Sequence, residues 1–311
     1  MRILFAGTPQ TAADALRRLR DRLAGSDRRI VGVLTRPDAP LGRKRLLTPS
    51  PVATLAEEVG LPVIKARRVD ADVQDRLAAL EPDVAVVVAY GALVPVTALD
   101  VPRHGWLNLH YSLLPAYRGA APAQRAIIDG LTTTGASVFA LRAGLDTGPV
   151  YGTVVTPIGP ADTAATLLDT LTASGTDLLA DVLADIDAGT ARAVEQCGDV
   201  TLAPKLTLED GRLDWTKTAA ALDARSRGVT PEPGAWTTLD GQRVKLGPVR
   251  AAAGDAPTPA PGVVTGRGRD VLVGTGDGAV VLSTVQPAGR RPMPAADWWR
   301  GARHGEELRF G

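Results

Sequence analysis

The chain has 311 residues, 45% of them hydrophobic and 22% charged, which supplies enough apolar material for a sizeable core and argues against disorder of the whole chain. Lysine and arginine total 35 against 34 for aspartate and glutamate, a formal net charge of +1, so no global basic field announces nucleic acid and any polyanion has to be held by local patches. No apolar run approaches the roughly 18 residues of a membrane-spanning helix, and the single cysteine, Cys197, together with an opening Arg2-Ile3-Leu4-Phe5 that lacks a signal-peptide pattern, predicts a cytoplasmic setting.

In chain order, the first half alternates short β-rich runs with helical patterns, the signature of parallel βαβ units. Strands are expected at Arg2 to Ala6, Ile30 to Leu34, Pro62 to Ile64, Asp83 to Ala89 and Trp106 to His110. Helical spacing marks Thr11 to Leu23, Asp72 to Leu80 and Gln124 to Ile128. Thr134 to Leu141 and Val150 to Pro157 read as further strands, followed by a long helix from Thr163 to Ile186 with Asp162 as its N-cap. From about Lys205 the pattern becomes short strands between Gly and Pro turns: Arg243 to Val249, Gly262 to Thr265, Asp270 to Thr275 and Ala279 to Val285. The expected fold class is α/β, a Rossmann-like open and mostly parallel sheet over residues 1–204, with a C-terminal small β-barrel, OB-like, over residues 205–311.

Asn108 and His110 alternate on one strand, so their side chains share a face, and they sit at its C-terminal end, where open α/β sheets bind ligands. Residues at a strand end also serve simply to cap a loop. Asp146 lies in Gly144-Leu145-Asp146-Thr147-Gly148, where glycines allow a tight path that turns a carboxylate inward, though such a segment also suits an ordinary turn. An amide, an imidazole and a carboxylate suffice to move an acyl unit between nitrogens. Amide and imidazolium N–H groups stabilise the oxyanion, each such donor being worth about 2.7 to 4 kcal/mol, and a carboxylate raises and orients the imidazole. Ser112 keeps a covalent route in view but has no paired base in sequence. Gly7-Thr8-Pro9 lacks a full dinucleotide fingerprint, and His104 and His304 have no clustered partners, so no metal is expected.

These residues resemble a known family. Asn108-Leu109-His110, Ser112-Leu113-Leu114-Pro115 with Arg118-Gly119-Ala120-Ala121-Pro122, and Gly144 to Gly148 are similar to the methionyl-tRNA formyltransferases, a branch of the folate-dependent formyltransferases. The likeness extends to Phe5 to Pro9, Ser50-Pro51-Val52, Val86 to Gly91, Asp214-Trp215 and Leu282 to Gly289, nearly end to end. It implies a monomeric enzyme that transfers a formyl group from 10-formyltetrahydrofolate to the α-amine of initiator methionyl-tRNA, by direct attack through a tetrahedral intermediate. Asn108, His110 and Asp146 are then the catalytic trio. Ser112, Leu113, Leu114 and Pro115, with Val88 and Tyr90, are the expected folate contacts, as an apolar cleft with a few polar groups suits the pterin and benzoate rings.

The loop after the second strand carries Arg36, Arg43, Lys44 and Arg45 against the single acid Asp38, and the resemblance makes it a tRNA-contacting loop. The C-terminal domain is its second expected tRNA contact. Trp298-Trp299 is expected to dock a terminal helix rather than to stack on bases. Two departures from the family pattern stand out: Tyr111 where a small residue is common, which could alter the folate entrance, and Ala116-Tyr117 in place of a basic residue and Trp. A small-amine acceptor, such as an amino sugar or purine precursor, and a nonenzymatic tRNA-binding role are the rival readings.

Overall fold

The computed structural model describes residues 1–42, 44–254, 258–302 and 307–311. The chain divides into two compact units: Met1–Gly119, Thr134–Thr156 and Leu168–Leu202 form the first, and Ala120–Thr133, Pro157–Leu167 and Ala203–Gly311 the second. The division at Leu202/Ala203 falls beside the expected boundary, but two earlier segments are grouped with the C-terminal residues.

The first unit is built on β1 (Arg2–Gly7), α1 (Gln10–Leu23), β2 (Arg29–Thr35), a hairpin of β3 (Ala39–Leu41) and β4 (Leu46–Thr48), α2 (Pro51–Glu58), β5 (Val63–Lys65), α3 (Ala71–Ala78), β6 (Val84–Val88), the single turn α4 (Val96–Leu99) and β7 (Trp106–His110). After α5 (Pro122–Ile128), which belongs to the second unit, come β8 (Thr133–Ala140), β9 (Val150–Pro157) and α6 (Ala164–Ala188). One seven-stranded sheet results, in the order β5-β2-β1-β6-β7-β8-β9. Its first five strands are parallel and β8 runs antiparallel to β7, with Asn108 opposite Phe139 and His110 opposite Ser137. The continuous apolar run of β6 marks a strand covered on both faces, and all five of its residues are buried. Reversal of strand order around β1 and β6 makes the C-terminal edge there the natural place for a ligand crevice.

Local chemistry explains the helices. Ser50 caps α2 by accepting the Ala53 N–H at 3.0 Å, with Pro51 opening the first turn, and Asp70 caps α3 through Val73. The expected Asp162 cap of α6 is replaced by Thr163, whose hydroxyl accepts the Thr166 N–H. Asp162 instead ties down the preceding turn through Gly159 and takes the Thr166 hydroxyl. Two arginines of α1 meet two aspartates of α6, Arg18 with Asp177 and Arg22 with Asp181.

In the second unit the expected barrel is built as two antiparallel four-stranded sheets around one core. After α7 (Ala219–Gly228), β10 (Ala235–Leu239), β11 (Gln242–Leu246), β12 (Arg250–Ala251), β13 (Val264–Arg267), β14 (Asp270–Gly274), β15 (Ala279–Leu282), β16 (Thr284–Gln286) and β17 (Met293–Pro294) precede α8 (Ala295–Gly301). The orders are β10-β11-β16-β17 and β12-β15-β14-β13. The run expected as one strand from Ala279 to Val285 breaks at Ser283 and serves both sheets. Leu213, Trp215, Val244, Val271, Val280, Leu282, Val285 and Phe310 share the core. Trp298 docks as expected, stacked on Phe310 with ring centroids 5.7 Å apart, and Phe310 stacks in turn on Trp215.

Candidate active site

At the C-terminal end of β7 the structure brings His110 and Asp146 together, with Asn108 two residues before His110 on the same strand. Alternation puts Asn108 and His110 on one face of the strand. His110 is buried, its ring edge-on to Phe139, and its Nε2 lies 2.9 Å from the carbonyl oxygen of Tyr117. A carbonyl can only accept, so Nε2 carries the proton and the neutral ring keeps its lone pair at Nδ1. Nδ1 faces Asp146 Oδ2 at 3.7 Å. That carboxylate oxygen also accepts the Gly119 N–H at 2.8 Å. Among the described residues nothing hydrogen-bonds the Asn108 side-chain amide, which leaves its donors free for a ligand.

Burial outweighs the expected raising of the His110 pKa by Asp146. Burial penalises the imidazolium and pulls the pKa below its ordinary value, while the Asp146 charge and the Tyr117 carbonyl push the other way and offset only part of it. The resting ring is therefore neutral near pH 7.

Asp146 is held by its loop. Gly144 takes φ +115° and Asp146 itself φ +52°, a left-handed conformation that L residues adopt at a cost. Gly148 lies so close to β8 that a Cβ there would stand 1.6 Å from the Ala140 carbonyl oxygen.

The expected folate contacts divide. Ser112 is fully buried, donating to the Ala116 carbonyl, while Leu114 is pinned by its N–H to Ser137 Oγ at 3.1 Å. Leu113 packs against Gly135 and Pro115 is buried, so these four shape the turn that carries Tyr117. Val88 and Tyr90 are core residues, the Tyr90 hydroxyl donating to Ala66, so what they offer a ligand is main chain and the exposed turn they launch. That turn supplies what sequence reasoning missed. Ala92, Leu93, Val94, Pro95 and Val96 wall a cavity of about 880 Å³ with Leu145, rimmed by Arg67, Arg68 and Arg142. Leu93 and Val96 stay exposed there, an apolar signal that the sequence carried but that periodicity could not place.

Tyr111 does not face a cleft. It is buried, with its hydroxyl 3.0 Å from that of Thr172 on α6, and burial pushes its pKa up to about 12. Tyr111→Phe is expected to lower stability by about 1 kcal/mol and to leave the Michaelis constant for folate unchanged; thermal melting beside folate titration checks both.

Of the basic loop, Arg36 is engaged with the Arg67 carbonyl, Lys44 and Arg45 are exposed between β3 and β4, and Arg43 lies outside the described residues, as does His304. Leu41, Leu46 and Leu47 are also exposed on this hairpin. His104 is half-buried beside Arg103, and among the described residues no group of His, Cys, Asp or Glu is disposed to hold a metal.

Comparison with known proteins completes the picture. Residues 1–183 match the formyl transferase family and residues 205–303 the formyl transferase C-terminal domain. The chain is 59% identical over 301 residues, 97% of each chain, to methionyl-tRNA formyltransferase of Arthrobacter sp. (strain FB24). The chain belongs to the methionyl-tRNA formyltransferase family. The solved methionyl-tRNA formyltransferase from Clostridium thermocellum shares the fold with TM-score 0.57 at 14% identity, over 82% of this chain and 95% of that one. HypX from Aquifex aeolicus, in complex with tetrahydrofolic acid, does so with TM-score 0.66 at 18% identity, over 100% of this chain and 51% of that one. Within a formyltransferase, a buried His facing a half-buried Asp, with a free amide on the same strand, is suited to a reaction whose charge develops on a carbonyl oxygen.

Proposed function

We propose that this chain transfers the formyl group of 10-formyltetrahydrofolate to the α-amine of initiator methionyl-tRNA, as a cytoplasmic monomer, with Asn108, His110 and Asp146 as its catalytic residues. The observation that carries the reading is buried His110 facing half-buried Asp146, with the Asn108 amide unpartnered among the described residues, in a chain alike along its length to methionyl-tRNA formyltransferases. The residues after the Leu202/Ala203 division and, separately, the exposed Lys44 and Arg45 are the proposed tRNA contacts.

The amine nitrogen attacks the formyl carbon, and the carbonyl electrons move to oxygen. Asn108 donates an N–H to that oxyanion. The proton leaving the attacking nitrogen passes to the neutral His110. The imidazolium so formed is held by Asp146 at Nδ1 and by the Tyr117 carbonyl at Nε2, a positive charge that burial disfavours until the negative oxygen exists. Stabilisation is thus concentrated in the transition state. Return of the proton to the folate nitrogen as the C–N bond breaks releases tetrahydrofolate and restores the neutral ring. The cavity between the Ala92–Val96 turn and Leu145 suits the flat rings, and Arg67, Arg68 and Arg142 suit the carboxylates at the other end of the folate.

The test is formyl transfer to charged initiator tRNA, with charged elongator tRNA and a free amino sugar as alternative acceptors. Selective transfer to the initiator is expected, with a Michaelis constant for tRNA that rises steeply with salt. Charge reversal at Lys44 and Arg45 should raise that constant about tenfold and leave the one for folate unchanged. Transfer to the amino sugar alone would sink the proposal.

A further inference from the structure

From Arg192 to Val200 the chain runs as an irregular strap in which every residue is exposed except Gln196. Its side chain joins the strap to both loops of the site. Gln196 Nε2 donates to the main-chain carbonyls of Asp146 and Gly148, each at 2.8 Å. Its Oε1 accepts from Nε and Nη2 of Arg118 at 3.2 and 2.6 Å. Arg118 lies between Tyr117, whose carbonyl takes the His110 Nε2 proton, and Gly119, whose N–H holds the Asp146 carboxylate. Both donors of the amide are therefore spent on the aspartate's loop, and its acceptor on the histidine's.

The strap is fixed on either side of Gln196. Val194 exchanges main-chain hydrogen bonds with Val150, and Thr201 takes the Tyr117 N–H on its hydroxyl and the Arg118 N–H on its carbonyl. Such anchoring matters because Asp146 and Tyr117 both occupy the left-handed region, at φ +52° and +58°. Non-glycine residues persist there only where the surroundings over-determine them. Gln196 bonds directly to the peptide that follows Asp146.

We infer that Gln196 is a positioning residue, which sets the separation between the Asp146 loop and the Arg118 loop and so keeps the carboxylate at its distance from His110 Nδ1. The inference rests on the catalytic role proposed above for Asp146. Gln196 itself faces main-chain groups and Arg118, so its loss should act chiefly on turnover and leave tRNA binding alone, reaching folate only through Leu145 on the same loop.

The experiment compares wild type, Gln196→Ala, Gln196→Glu, Val200→Ala and Asp146→Ala in the full-length chain, measuring kcat, both Michaelis constants, the pH profile and the melting temperature. Gln196→Glu keeps size and the Arg118 contact but turns lone pairs toward the two carbonyls, so it decides the matter if Gln196→Ala fails to fold. Both Gln196 variants should lose about 10- to 100-fold in kcat, the scale of a small misplacement at a reacting centre, with the Michaelis constant for tRNA held. Their acid limb should move to lower pH, because a displaced Asp146 no longer raises His110. Val200→Ala should match wild type, which excludes a general sensitivity of the strap. Wild-type kcat in both Gln196 variants beside an inactive Asp146→Ala overturns this inference alone, as does a kcat loss that only tracks melting temperature. Wild-type kcat in Asp146→Ala overturns the role of Asp146 and this inference with it.

Discussion

His110→Ala is expected to lower kcat/KM for formyl transfer by about 10³-fold, because the ring is the acceptor of the amine's proton and, once charged, the positive group of the site in which the oxyanion develops. Asp146→Asn should fall nearly as far, and its pH profile separates two roles for the carboxylate. The Asp146 charge raises the His110 pKa against the larger effect of burial. Removing it lowers that pKa further, so the acid limb of kcat/KM should shift to lower pH. A limb that stays in place would show that Asp146 acts otherwise than through the imidazole. Stability carries the same signature. The folded pKa of His110 lies below its ordinary 6.5, so its contribution is fully present above pH 6.5 and is lost as pH falls toward the folded value. His110→Ala should melt with a shallower acid loss than wild type, measurable by thermal denaturation between pH 7 and 5.

The second large effect is expected at Gly148. A Cβ there would stand 1.6 Å from the Ala140 oxygen and 2.8 Å from its carbon, so main chain has to move and no side-chain rotation relieves it. Gly148→Ala should cost about 3 kcal/mol, at the upper end of overpacking. It should also lower kcat by about 100-fold, since Gly148 ends the loop that carries Asp146. Wild-type melting with wild-type turnover would refute the account of the loop as rigidly seated.

The central strands were readable because parallel strands covered on both faces are nearly unbroken apolar runs, as Val84 to Val88 is. The alternation of Asn108 and His110 at a strand end, and the glycines around Asp146, carried the outline of the site. Other parts were hidden for physical reasons. The Ser50-Pro51 start of α2 is a strong helix signal, but only eight residues follow. The break at Ser283 depends on which sheet each half pairs with, a nonlocal choice. Tyr111 reads as an oddity near a cleft because nothing in the sequence says that Thr172 waits across the core. The direction of the His110 pKa follows from depth of burial, which no local pattern reports. Gln196 was invisible for a related reason: its partners include main-chain carbonyls far away in sequence, and any residue type can supply those.

The long helix behind the sheet has a further consequence. Gly175 sits within α6, where glycine costs about 1 kcal/mol relative to alanine. A Cβ at that position would lie 2.8 Å from Leu109 Cδ1 and 3.1 Å from Ala136 Cβ. Leu109 is the residue between Asn108 and His110, on the opposite face of β7. The helix thus serves as a backstop that sets the depth of the strand from behind, and tolerance to substitution at position 175 is limited by chemistry taking place on the other side of the sheet.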